Sequence, residues 1–100
     1  VRFRSRKREA LYRQRRPLVE QMLAANPICQ RCGTNPSTEI HEVVTRARGG
    51  SITDPANCRA LCHSCHAWIT THPAQAHAEG LMAHSWERDR YTTDVEGMPE

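Results

Sequence analysis

The chain has 100 residues and a mass of 11.4 kDa; 38% of it is apolar, 5% aromatic and 25% charged. A single small domain of that size buries only roughly 60–65% of the surface its unfolded form exposes, so its core needs a staple: disulfides, a metal or a partner. No apolar run approaches the ~20 residues of a membrane span, which excludes a transmembrane helix, and no apolar stretch behind the Arg-rich start reads as a signal peptide.

The formal net charge of +3 is unevenly spread. Residues 1–16 hold eight Lys or Arg against Glu9 alone, residues 17–86 are near neutral, and residues 87–100 hold five acids against two Arg. Such a basic arm exceeds what solubility needs and points to a polyanion. Arg4, Arg6, Lys7, Arg8 and Arg13 are its candidate phosphate contacts. The expected division is a basic helical arm over 1–26, a compact domain over 27–86 and a flexible acidic tail over 87–100.

In chain order, Leu11, Leu18, Val19, Met22 and Leu23 recur at helical spacing and form one apolar stripe. The stripe should dock on the body with the arginines outward. Pro17 predicts either a kink or a second helix start there, and Asn26-Pro27 ends the helix. Residues 28–37 read as a tight knuckle and turn. Residues 38–44 are rich in β-branched side chains and predict a strand. Residues 45–57 form a loop around Gly49-Gly50, Cys58 to Leu61 a short return strand, and residues 63–71 a helix. Pro73 permits a further helix, stopped by Gly80. Leu81 to Trp86 should return to the body, with Trp68 and Trp86 as packing residues. Residues 87–100, polar and acidic, should fray.

Cys29-x-x-Cys32 and Cys62-x-x-Cys65 are two paired knuckles. A two-residue spacer brings both sulfurs of a pair to one metal, so the four thiolates predict a closed, tetrahedral, structural Zn²⁺ site. With no secretion signal in view, zinc is favoured over disulfides, and the cytoplasm is the expected setting. The fifth cysteine, Cys58, reads as a small buried apolar residue of the return strand.

Between and after the knuckles the chain offers Ile40-His41-Glu42-Val43, then Arg46-Ala47-Arg48-Gly49-Gly50, then Asn57, then Leu61-Cys62-His63-Ser64-Cys65-His66. This order and spacing, over residues 29–66, resembles the HNH endonuclease family, and within it the small phage-type proteins. The resemblance implies an α+β architecture, a ββα-metal (His-Me finger) fold with a four-Cys zinc and, here, an N-terminal basic helix. It implies hydrolysis of DNA phosphodiester bonds with Mg²⁺ or Mn²⁺ as the catalytic cation. His41, eight residues before Gly49, takes the slot of a cation ligand, and His66, nine after Asn57, that of the helix-borne ligand. Asn57 matches a positioning residue. The general-base slot, occupied by His in the family pattern, holds Glu42 here. The register makes His41 the ligand and Glu42 the base; the reverse also fits, because a carboxylate suits Mg²⁺. Thr70 stands where one subgroup has a further His. Arg46 and Arg48 flank the Gly-Gly loop as candidate phosphate contacts. Phage-type relatives imply a terminase or other packaging protein as a partner, and a host cytoplasm as the location. Two other functions fit parts of the pattern: a non-catalytic zinc-ribbon DNA-binding module, and a protein adaptor docking through its amphipathic helix.

Overall fold

The computed structural model describes residues 6–93. Helix α1 spans Arg6–Ala25, strand β1 Glu39–Glu42, strand β2 Cys58–Leu61, helix α2 His63–Thr71 and helix α3 Pro73–Ala78; a C-terminal 3-10 helix covers Ser85–Tyr91. The strands form a two-stranded antiparallel sheet in the register Glu39 to Leu61, Ile40 to Ala60, His41 to Arg59 and Glu42 to Cys58. The predicted α+β class, with a two-stranded sheet, flanking helices and the four knuckle cysteines brought together, is the architecture found.

A two-stranded sheet is stable only when its faces are covered. Here the period-2 alternation of strand side chains divides the work. Ile40, Cys58 and Ala60 point to one face, where Leu18, Val19, Met22 and Leu23 of α1 pack on them. Leu61 points to the other, into a core with Cys29, Cys62, Cys65, Ile69, Ala76 and Leu81. Thus the stripe of α1 docks as its periodicity predicts. Cys58, 1% exposed, is the buried apolar residue expected. The helix runs through Pro17 without interruption.

The strand is shorter than the β-branched run suggests. Val43 and Val44 leave the ladder but stay buried, joined by Ala83 and covered by Tyr91 in a third small cluster. The loop after them contains two 3-10 turns, Arg46–Arg48 and Pro55–Asn57. Two sequence expectations fail in the C-terminal region. Trp86 is 79% exposed: the 3-10 helix that carries it buries none of its residues, and the indole stacks on His84 instead. The polar segment beyond it does not fray through residue 93. The buried Asp54 carboxylate accepts from the Thr93 backbone N–H at 2.7 Å and from its hydroxyl at 3.0 Å, which anchors this stretch to the loop. Residues 94–100, the rest of the expected tail, lie outside the described residues.

Candidate active site

The first knuckle is a turn closed by Cys29 N–H to Asn35 carbonyl at 2.8 Å and Gly33 N–H to Cys29 carbonyl at 3.0 Å. Gly33 has φ +71, a left-handed conformation that only glycine adopts cheaply. The second knuckle is the N-terminus of α2, whose N-cap is Cys62. Gln30 ties the two together: its N–H donates to the Ala60 carbonyl at 2.9 Å and its side-chain oxygen accepts from Ala60 N–H at 2.7 Å. As a result the sulfurs of Cys29, Cys32, Cys62 and Cys65 all lie within 4.8 Å of one another.

The surroundings of these sulfurs suit a metal-bound thiolate. Cys29 Sγ accepts from the N–H groups of Arg31 (3.4 Å) and Cys32 (3.5 Å), Cys32 Sγ from Asn35 N–H (3.5 Å) and Cys62 Sγ from Cys65 N–H (3.4 Å). Such donors orient and stabilise ligands from outside the coordination sphere. The Ser64 hydroxyl and the Cys65 N–H draw the Cys62 thiol down to about 5, whereas burial pushes Cys65 up to about 12. A dication resolves that conflict, because a coordinated thiol is deprotonated outright. Donor type, number and clustering all fit zinc.

The second group of predicted residues lies around the hairpin. His41 and His66, from β1 and α2, meet edge to face with ring centroids 5.1 Å apart. Together with Glu42, Thr45, Ile69, Thr70, Pro73 and Met82 they line one cleft of about 370 Å³. Each imidazole is held at one nitrogen. His41 Nε2 lies 2.5 Å from the Leu81 carbonyl, an acceptor, so this nitrogen carries the proton and Nδ1 the lone pair. Burial lowers the His41 pKa below its ordinary value and keeps the ring neutral at pH 7. His66 Nδ1 lies 2.6 Å from Glu39 Oε1, which leaves Nε2 for another partner.

Strand alternation separates the neighbours His41 and Glu42. Glu39 and His41 face α2; Ile40 and Glu42 face α1. Arg15 of α1 reaches Glu42 Oε2 at 2.6 Å and also donates to the carbonyls of Ile52 (2.7 Å) and Ile40 (3.4 Å). Asn57 does not line the cleft. It is 1% exposed and clamps the loop: Nδ2 donates to the Val44 (2.8 Å) and Ser51 (2.9 Å) carbonyls, and Oδ1 accepts from Val44 N–H at 2.9 Å. Gly50 makes that closure possible, since a Cβ there would sit 1.8 Å from the Val44 carbonyl oxygen. Among the described residues, His41, Glu42 and His66 do not form a cluster of three mutually close donors, so a cation in the cleft would need water to complete its shell.

Residues 29–71 match the family described as HNH endonuclease. That segment is similar to an HNH domain. No curated protein and no solved structure matches the chain significantly. The HNH segment contains both knuckles, the hairpin, the Gly-Gly loop and all of α2, and so supplies His41, Glu42, Asn57 and His66.

The HNH frame also contains a residue that no sequence motif singles out. Glu39 bridges two imidazoles, accepting from His66 on one oxygen and from His63 on the other, each at 2.6 Å. Those two partners, His63 foremost, hold its carboxyl below the usual range. Its signal in the sequence is its place two residues before His41, on the same strand face. Four further contributors lie outside the matched segment: Arg15, Pro73, the Leu81 carbonyl and Met82. No motif marks them, because they reach the cleft only through tertiary packing.

Of the candidate phosphate contacts, Arg6, Lys7, Arg8 and Arg13 lie exposed on α1, and Arg46 and Arg48 on the loop turn. Arg4 lies outside the described residues. Among the described residues, no helix is long and apolar enough to cross a membrane.

Proposed function

We propose that the chain is a metal-dependent HNH endonuclease that hydrolyses DNA phosphodiester bonds, using the cleft between β1 and α2. One observation carries the reading: His41 and His66 meet at that cleft, each pinned at one ring nitrogen by an acceptor and each with its other ring nitrogen outside that bond. Two imidazoles held in this way can each offer the other ring nitrogen to a cation. The knuckles hold a zinc ion that fixes the hairpin against α2. The catalytic cation would be Mg²⁺ or Mn²⁺, held by His41 and His66; when bound it supplies charge stabilisation at the phosphate and at the leaving oxygen.

The remaining roles follow from placement. Glu42 opens on the same cleft from the other face of β1 and is the group that takes the proton of the attacking water. Arg15 fixes that carboxylate and anchors α1 beside it. Asn57 is a positioning residue, since it shapes the loop after Val44 and touches nothing in the cleft. The exposed cations of α1, with Arg46 and Arg48, bind phosphates and add affinity without sequence selectivity. One module has one such cleft and makes one cut, a nick; a double-strand break takes a second copy or a partner.

The products test the chemistry. Zinc-loaded protein with Mg²⁺ or Mn²⁺ should leave nicks that DNA ligase reseals, which requires a 5′-phosphate beside a 3′-hydroxyl. Nicks that ligase cannot close would overturn this reaction. A folded protein inert on several DNA forms and metals would leave the non-catalytic binding module.

A further inference from the structure

We infer that Trp86 is a stacking platform for an unpaired nucleobase, so that the substrate of the cleft is a DNA strand with at least one base exposed beside the cut. The inference rests on the DNA reading of the cleft. It starts from a side chain that neither the core nor the active site uses. Trp86 is 79% exposed, yet it is held in place. Its indole stacks on His84 at 4.3 Å and 13°, and His84 stacks on His77 at 4.4 Å and 24°. The ladder has a rigid base. His84 N–H donates to Glu87 Oε1 at 2.8 Å, Glu87 N–H returns to the His84 carbonyl at 2.9 Å, and Ala83 N–H binds the Val43 carbonyl at 3.0 Å.

Location and charge select the occupant. The same segment lines the cleft at Met82 and holds His41 through Leu81. Arg48 donates to the Ala83 carbonyl at 3.3 Å, and the Arg88 guanidinium lies 3.0 Å from where a Cβ of Gly49 would stand. An open indole on a segment that also carries or engages these arginines and lines the proposed cleft has the composition of a single-strand nucleic-acid surface: an aromatic face for a base, cations for the backbone. His77, His84 and Glu87 also place donor atoms within 4.8 Å of one another. Their rings nevertheless lie face to face, and Glu87 is engaged by His84 N–H and, at 3.2 Å, by Arg90. The lone pairs do not converge, so the cluster is a stack rather than a metal site.

The test is a cycle of two proteins and two strands, read by anisotropy of a labelled oligonucleotide, with zinc-loaded full chain and no added Mg²⁺. Stacking on one base predicts that Trp86→Ala binds oligothymidylate roughly five- to a hundredfold more weakly than wild type. Trp86→Phe should recover much of the loss. On an abasic strand of the same length wild type and Trp86→Ala should bind equally. Equal binding to oligothymidylate, or an equal loss on the abasic strand, would overturn the platform. A Trp86-dependent self-association in sedimentation, with no change in DNA binding, would assign the ring to a second copy of the chain instead. Because the readout is binding, a base-dependent loss in a protein that cuts nothing would retain the platform and refute only the nuclease reading.

Discussion

Glu39 and Arg15 show how much of the proposed active site depends on residues that do no chemistry themselves. Glu39 takes one nitrogen of His66 and so aims the other. Removing a partner of this kind from a metal-ligating His typically costs 10–100-fold in metal affinity or activity. Glu39→Gln should therefore raise the Mg²⁺ concentration for half-maximal cleavage by roughly that factor, while thermal unfolding moves little. The role assignment of the neighbouring pair is separable in the same titration. Glu42→Gln should lose roughly 10²–10⁴-fold in rate at saturating metal with the metal requirement unchanged, as expected of a proton acceptor. His41→Ala should chiefly raise the metal requirement. The reverse pattern would exchange the two roles. The clustering of the four cysteines and the meeting of His41 and His66 were legible in the sequence, because residue type and spacing mark them. Glu39 and Arg15 were not, because a Glu near a His or an Arg in a basic run has many innocent explanations until the partners are seen.

At the scale of elements, the loop from Val44 to Asn57 and helix α1 carry the next two predictions. Asn57 satisfies the Val44 N–H and the Val44 and Ser51 carbonyls from a buried position. Asn57→Ala strands these groups, and a loss of about 2–4 kcal/mol is expected in urea unfolding. Stability unchanged with activity abolished would instead make Asn57 a participant in the chemistry. Helix α1 has two faces with different duties. Leu18, Val19, Met22 and Leu23 hold the hairpin. Reversing the charges of Arg6, Lys7 and Arg13 on the exposed face should leave the urea midpoint unchanged. It should lower DNA affinity, and the slope of log affinity against log salt should fall by about 0.9 for each phosphate that the arm no longer neutralises. Helices, hairpin and their order were readable from periodicity and from Pro and Gly punctuation. The exposed position of Trp86 and the ordered stretch to Thr93 were not. The first goes with the stack on His84 and the second with the bonds that Thr93 makes to Asp54, which no local pattern records.

For the whole molecule, the cores on the two faces of a hairpin with four-residue strands are small, and the four-cysteine cluster stands where the first knuckle, β2 and α2 join. A structural zinc in such a domain supplies folding free energy directly. Chelation should release one zinc per chain, and the helical circular dichroism should collapse together with that release. A helical signal that outlasts the zinc would mean that packing alone suffices. The central claim is that the His41–His66 cleft cuts DNA. Nicking of supercoiled plasmid by zinc-loaded wild type, His41→Ala and His66→Ala, each shown to be folded, tests it most directly. The structure predicts nicked circles from wild type only when Mg²⁺ or Mn²⁺ is added, and none from either variant at the same metal concentration. Cleavage that persists undiminished in both folded variants would place the chemistry elsewhere and contradict the account.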